Sequence, residues 1–119
     1  MRLRALLSVA ALLSGAGVVS GCGDDAGEAT GSTCPSDSAL TYDNFGAGFF
    51  TDHCLVCHGA KGPESPKFDT VEQIRANSGE IDKQAAAGPN SVNTNMPETG
   101  SVSEADRRQL GEWLACGAP

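Results

Sequence analysis

The sequence predicts a small all-α domain of three to five helices, and three observations carry that expectation. No stretch alternates apolar and polar residues as a half-buried strand does. Residues suited to helix N-caps, Thr41, Asp69 and Ser103, stand ahead of segments with helical apolar spacing. Glycine and proline punctuate the far ends of those segments, at Gly88-Pro89 and at Gly117 and Pro119. There is no internal repeat.

The N-terminus reads as an export segment rather than as part of the domain. Met1-Arg2-Leu3-Arg4 is basic, and the run from 5 to 19 is apolar apart from Ser8, Ser14, Gly15 and Gly17. That run is too short for a stable membrane span and has the length of a signal-peptide core. Val19-Ser20-Gly21-Cys22 resembles the bacterial lipobox, so residues 1–21 are expected to be a lipoprotein signal peptide and Cys22 the lipid-bearing new N-terminus. An ordinary secretory signal, leaving Cys22 as a spare thiol, is the alternative. Residues 22–33 are small, polar and acidic, and are expected to form a flexible tether with a span of roughly 20 Å. The domain proper is placed at 34–119.

Within it, Leu40 and Phe45 flank Thr41 at the positions of a hydrophobic staple, which predicts a helix over about 42–54 with Phe45, Phe49 and Phe50 on its buried stripe. Residues 59–66 read as a loop. Asp69, with Glu72 three residues on, predicts a short helix over 70–77, and a second is expected over 80–87 before Gly88-Pro89. Ser103 caps a last helix in which Leu110, Trp113 and Leu114 share a face.

The chemistry concentrates in Cys54-Leu55-Val56-Cys57-His58, because a C-x-x-C-H run is how covalent c-type haem attachment reads in sequence. Two cysteines three apart on one helical turn can both reach a porphyrin edge and form thioethers, and the following histidine then sits beneath the iron as proximal ligand. Attachment takes place only after translocation, and this chain carries an export signal of its own. Two other chemistries use a C-x-x-C. A thiol-redox pair would follow a strand, and nothing upstream of Cys54 is strand-like. A zinc site needs four ligands, and the chain has only His53 and His58 as histidines and no second C-x-x-C. His53 adjoins the motif on the same helix and cannot reach the opposite haem face, so it is expected at the surface or haem rim.

The sixth ligand follows from inventory, since Met96 is the only methionine beyond Met1. It lies 38 residues after His58 in the loop Asn93-Thr94-Asn95-Met96-Pro97, where Pro97 fixes the backbone next to it. Such a loop can bring a thioether over the distal face; the alternative is that Met96 only fills the core. Histidine with methionine favours reduced iron and suits electron transfer.

Five cysteines is an odd number for an exported chain, and the partition resolves it. Cys22 takes lipid and Cys54 and Cys57 take haem, which leaves Cys34 and Cys116 for one disulfide in an oxidising compartment. The alternative is two free thiols. Such a bridge would contribute about 4 to 5 kcal/mol in the chain-entropy account.

Taken with these motifs, residues 34–119 resemble a class I c-type cytochrome of the small monohaem, bacterial lipoprotein form. The resemblance implies a cytochrome c-like fold around one covalent haem c. It implies that Gly46 permits a close helix crossing, that Phe50 packs beside the haem, and that Leu110 and Trp113 of the last helix are the partners at that crossing. It further implies that a proline carbonyl orients the proximal histidine, Pro66 being preferred to Pro63 for its spacing from His58. The short connection from motif to methionine implies that extra family loops are absent and the haem edge more exposed.

The expected function is one-electron transfer between a protein donor and a protein acceptor, by a monomer held through its N-terminal lipid on the periplasmic side of a bacterial membrane. A haem-based sensor, or an electron-entry subunit of a larger oxidoreductase, are the rivals. Catalysis by this chain alone is not expected, since a haem with both faces occupied offers no open coordination position. Removing residues 1–21 takes away two basic residues and no acids, so the formal charge falls from −7 to −9, which excludes nucleic acid as an expected partner.

Overall fold

In the computed structural model, which describes residues 27–119, Thr41, Thr70 and Ser103 each open a helical segment by accepting from one of its free backbone amides. The expected signal peptide, the lipid site Cys22 and the first residues of the tether lie outside the described residues. Thr41 Oγ1 accepts from the Asn44 N–H at 3.1 Å, and Asn44 Oδ1 accepts in return from the Thr41 N–H at 2.8 Å. This reciprocal cap opens a π-helical turn, Tyr42–Gly46, that runs on into α1, Ala47–His53. The backbone breaks step at Cys54, and the four-residue α2, Leu55–His58, carries the rest of the cysteine motif.

Three further helices follow: α3, Val71–Ala76; α4, Ser78–Ala85; and α5, Glu104–Ala115. The described residues are thus all-α, with a single isolated antiparallel bridge between Ala87 and Val92. None of the helices described is long and apolar enough to cross a membrane.

Two boundaries differ from expectation. The cap of α3 is Thr70 rather than Asp69, with Gln73 rather than Glu72 completing it. Asp69 is drawn away because its Oδ1 accepts from the Ala60 N–H at 2.9 Å, closing the loop between α2 and α3. Helix α4 starts and stops two residues earlier than 80–87. Ala86 leaves it in extended conformation, and the buried Ala87 N–H donates across to the Arg107 carbonyl at 2.9 Å.

The core lies where the continuous helix made of the π-helical turn and α1 meets α5. A Cβ built on Gly46 would fall 2.6 Å from Cζ2 and Cη2 of Trp113, so only glycine allows the two helices this close. Trp113 and Leu110 are fully buried, and Phe50 nearly so. Each such burial stabilises by about 1.5–3 kcal/mol. Phe45 and Phe50 face the indole at centroid distances of 5.9 and 6.2 Å. Beyond α5, the buried Ala118 has its carbonyl held by Arg75 through Nε at 3.1 Å and Nη2 at 2.9 Å. Cys34 and Cys116 are paired, with Cα atoms 4.8 Å apart across a sequence separation of 82.

The expected tether is corrected over 27–33, which is built into the domain. Thr30 is fully buried, its N–H and Oγ1 both donating to the Asp82 carboxylate at 2.8 and 2.6 Å. Ser32 Oγ donates to the Ala87 carbonyl at 3.2 Å, and the Asn90 N–H donates to the Thr30 carbonyl at 2.9 Å. Small polar residues are docked here by their hydrogen bonds, a role that their composition does not advertise.

Candidate functional site

Cys54, at the N-cap of the short α2, and Cys57 and His58 within it are held together as the chain turns back on itself directly after the helix. The Phe68 N–H donates to the His58 carbonyl and the Glu64 N–H to the Cys57 carbonyl, each at 2.9 Å. Lys67 Nζ ties the same loop down by donating to the Gly62 carbonyl at 2.7 Å. The loop thereby sets Pro66 beside the imidazole, with His58 Nδ1 2.8 Å from the Pro66 carbonyl oxygen. A carbonyl only accepts, so Nδ1 carries a proton, and in the neutral ring Nε2 then keeps its lone pair for another partner. It is Pro66, not Pro63, that makes this contact. The Phe68 ring covers the imidazole, with centroids 5.0 Å apart.

The two thiols differ. Cys54 packs against the hydrophobic core, and burial pushes its thiol from the ordinary 9.0 up to about 12. Cys57 is exposed. A redox C-x-x-C works through a thiolate stabilised by its surroundings, and Cys54 has the opposite environment. A zinc site needs several ligands gathered, and among the described residues no group of three or more His, Cys, Asp or Glu is placed to hold a metal ion.

Met96 lies half-buried at the margin of the same cluster against which Cys54 and Leu55 pack. Its N–H donates to the Gln84 carbonyl at 2.9 Å, and its carbonyl accepts from Arg107 Nη1 at 2.8 Å. His53 is half-buried and meets Phe49 edge-on at 5.0 Å. Phe50, Leu110 and Trp113 belong to the core cluster against which Cys54 packs, and Gly46 lies against Trp113.

Sequence reasoning missed three residues here. Phe68 is the one aromatic in an otherwise polar loop, which was its signal. Arg107 is 5% exposed and stands three before Leu110 and seven before Leu114, a cation on the apolar stripe of α5. Asn93, 4% exposed, had no signal beyond its place near Met96.

The donor chemistry fits a covalently held iron porphyrin. The imidazole has its near nitrogen engaged by a carbonyl and, among the described residues, no partner at its far one, the outer arrangement that orients a metal-binding histidine. Two unpaired cysteines precede it within about one turn, and a thioether borders the apolar cluster against which Cys54 packs. Family models, curated proteins and solved structures give no match to this chain.

Proposed function

We propose that the chain is a cytochrome c-like one-electron carrier, with haem c attached through Cys54 and Cys57 and ligated by His58 and Met96. The observation that carries this reading is the hydrogen bond from His58 Nδ1 to the Pro66 carbonyl, because it orients an imidazole directly beside two unpaired cysteines. When bound, the haem supplies the one-electron iron couple. The chain's own part is to hold and shield it. Cys54 and Cys57 would anchor the ring edge, Pro66 orients His58, and Phe68, backed by Phe50, packs on the imidazole. The hydrogen bonds on both sides of the Met96 peptide favour a ligand that stays, which suits a carrier more than a sensor with an exchangeable sixth position.

The Cys34–Cys116 pairing supports residence in an oxidising compartment, in keeping with export and a lipid at Cys22 that tethers the domain on the periplasmic side of a bacterial membrane. Electrons would then pass to and from protein partners. Intact mass and a visible spectrum of protein matured in a periplasm test the reading. A mass increase of one haem, surviving denaturation and requiring both Cys54 and Cys57, with a reduced c-type α-band, is expected. Haem-free protein from a host competent in attachment would discard it.

A further inference from the structure

The loop that bears Met96 is held to the domain by a buried cation. Arg107 sits in the first turn of α5, and among the described residues the ion pair belongs to its neighbour, Arg108 with Glu104, not to Arg107. Arg107 Nη1 instead meets three carbonyls with its two hydrogens, one of them shared: Ala85 at 2.7 Å, Asn93 at 2.9 Å and Met96 at 2.8 Å. One nitrogen thereby joins the end of α4, the residue after the Ala87–Val92 bridge, and the peptide of Met96 itself. Asn93 adds a second tie, its Nδ2 donating to the carbonyls of Glu28 at 2.7 Å and Asp82 at 2.9 Å.

Burying a guanidinium among carbonyls without a carboxylate is a costly way to fill space, and an apolar side chain of similar volume would do that more cheaply. What an apolar residue cannot do is draw three peptide oxygens to one point. With its carbonyl on Arg107 and its N–H on Gln84, the Met96 backbone is fixed at both ends, and the direction in which its side chain leaves is fixed with it.

We propose that Arg107 is the positioning residue for the sixth ligand: it closes the Met96 loop so that the thioether remains on the iron and exogenous ligands are kept out. This rests on the His58 and Met96 ligation proposed above. The test uses the haem-loaded protein and two optical readouts, the sulfur-to-iron charge-transfer band of the ferric form and carbon monoxide binding by the ferrous form. Arg107→Met keeps an apolar stem and removes every donor, whereas Arg107→Lys keeps one donating nitrogen.

Arg107→Met is expected to lose most of the band and to bind carbon monoxide at least about tenfold more tightly, since hydrogen bonds to a charged group are given up and the open loop becomes populated. Arg107→Lys should fall between it and the wild type. A folded Arg107→Met protein with wild-type band and carbon monoxide affinity would overturn the proposal. If Arg107→Met does not accumulate, Arg107→Lys decides alone: wild-type behaviour in both readouts overturns it, and a weakened band with tighter carbon monoxide binding supports it. Met96→Ala separates the two levels of inference. If the wild type and Met96→Ala behave alike, the ligation reading fails and this proposal with it; if they differ while both Arg107 variants match the wild type, only the role of Arg107 fails.

Discussion

The imidazole of His58 and the carbonyl of Pro66 meet at 2.8 Å across a loop that the Phe68 and Glu64 amides hold shut. The oxygen has no proton to give, so the contact dictates a single tautomer, with hydrogen on Nδ1 and the lone pair on Nε2. Nitrogen-15 NMR of the reduced protein is therefore expected to show His58 protonated at Nδ1. A proton found on Nε2 instead would contradict both this geometry and the proposed iron ligation.

The closeness of Gly46 to Trp113 makes a paired prediction in one helical stretch. Gly46→Ala pushes a methyl to 2.6 Å from the indole ring of a fully buried tryptophan, and is expected to cost about 1–3 kcal/mol in urea unfolding with an unchanged slope. Gly48, two residues on in α1, has nothing within 4 Å of a built Cβ. Gly48→Ala is therefore expected to stabilise by about 0.5–1 kcal/mol, the ordinary gain from removing a helix-interior glycine. Equal effects at the two sites would show that the crossing is not close.

What could be read from the chain was whatever depends on neighbours in sequence. Thr41 and Ser103 cap their helices because a hydroxyl needs only the amides two or three residues on. The cysteine motif likewise falls on one helical turn, and the apolar stripe of α5 declares its buried face. The misreadings share a different cause. Asp69 and Thr70 could each cap α3, and the choice fell to Thr70 because Ala60, nine residues away, claims the aspartate. Residues 27–33 look like a tether until Asp82, 52 residues after Thr30, receives its hydroxyl and amide. Arg107 is legible as an oddity on an apolar stripe, but its three carbonyl partners lie 11 to 22 residues back and leave no trace in composition.

The docking of Thr30 on Asp82 has a measurable cost of removal. Asp82→Ala leaves the buried Thr30 amide without its acceptor and its hydroxyl with Ser32 alone, and is expected to destabilise by about 1–3 kcal/mol. It should also admit proteases to the 27–33 segment, which they otherwise leave intact. Thr30→Val keeps the amide contact with Asp82 but removes the hydroxyl's contacts with Asp82 and Ser32, and is expected to destabilise by a similar amount. Early cleavage of that segment in the wild-type protein would mean that it is a tether after all.

The contrast between the two motif thiols yields a pH-dependent test specific to the haem-free form. With its thiol pushed up to about 12 by burial, Cys54 is almost entirely protonated across the working range of alkylating reagents, whereas Cys57 is exposed. Haem-free protein treated with iodoacetamide near pH 8 is expected to label at Cys57 first by a wide margin, and denaturant should abolish the difference. The same shift has a consequence for stability. In the unfolded chain the thiol titrates near 9.0, so the fold's preference for the protonated form is fully favourable below that pH and is lost as pH climbs from about 9 towards 12. Haem-free protein should accordingly weaken over that interval. Haem-bound protein should not weaken for this reason, because a thioether has no proton to lose. Peptide mapping after a brief labelling pulse, with unfolding curves for both forms at rising pH, gives the comparison, and a Cys54 that labels as fast as Cys57 at pH 8 would refute it.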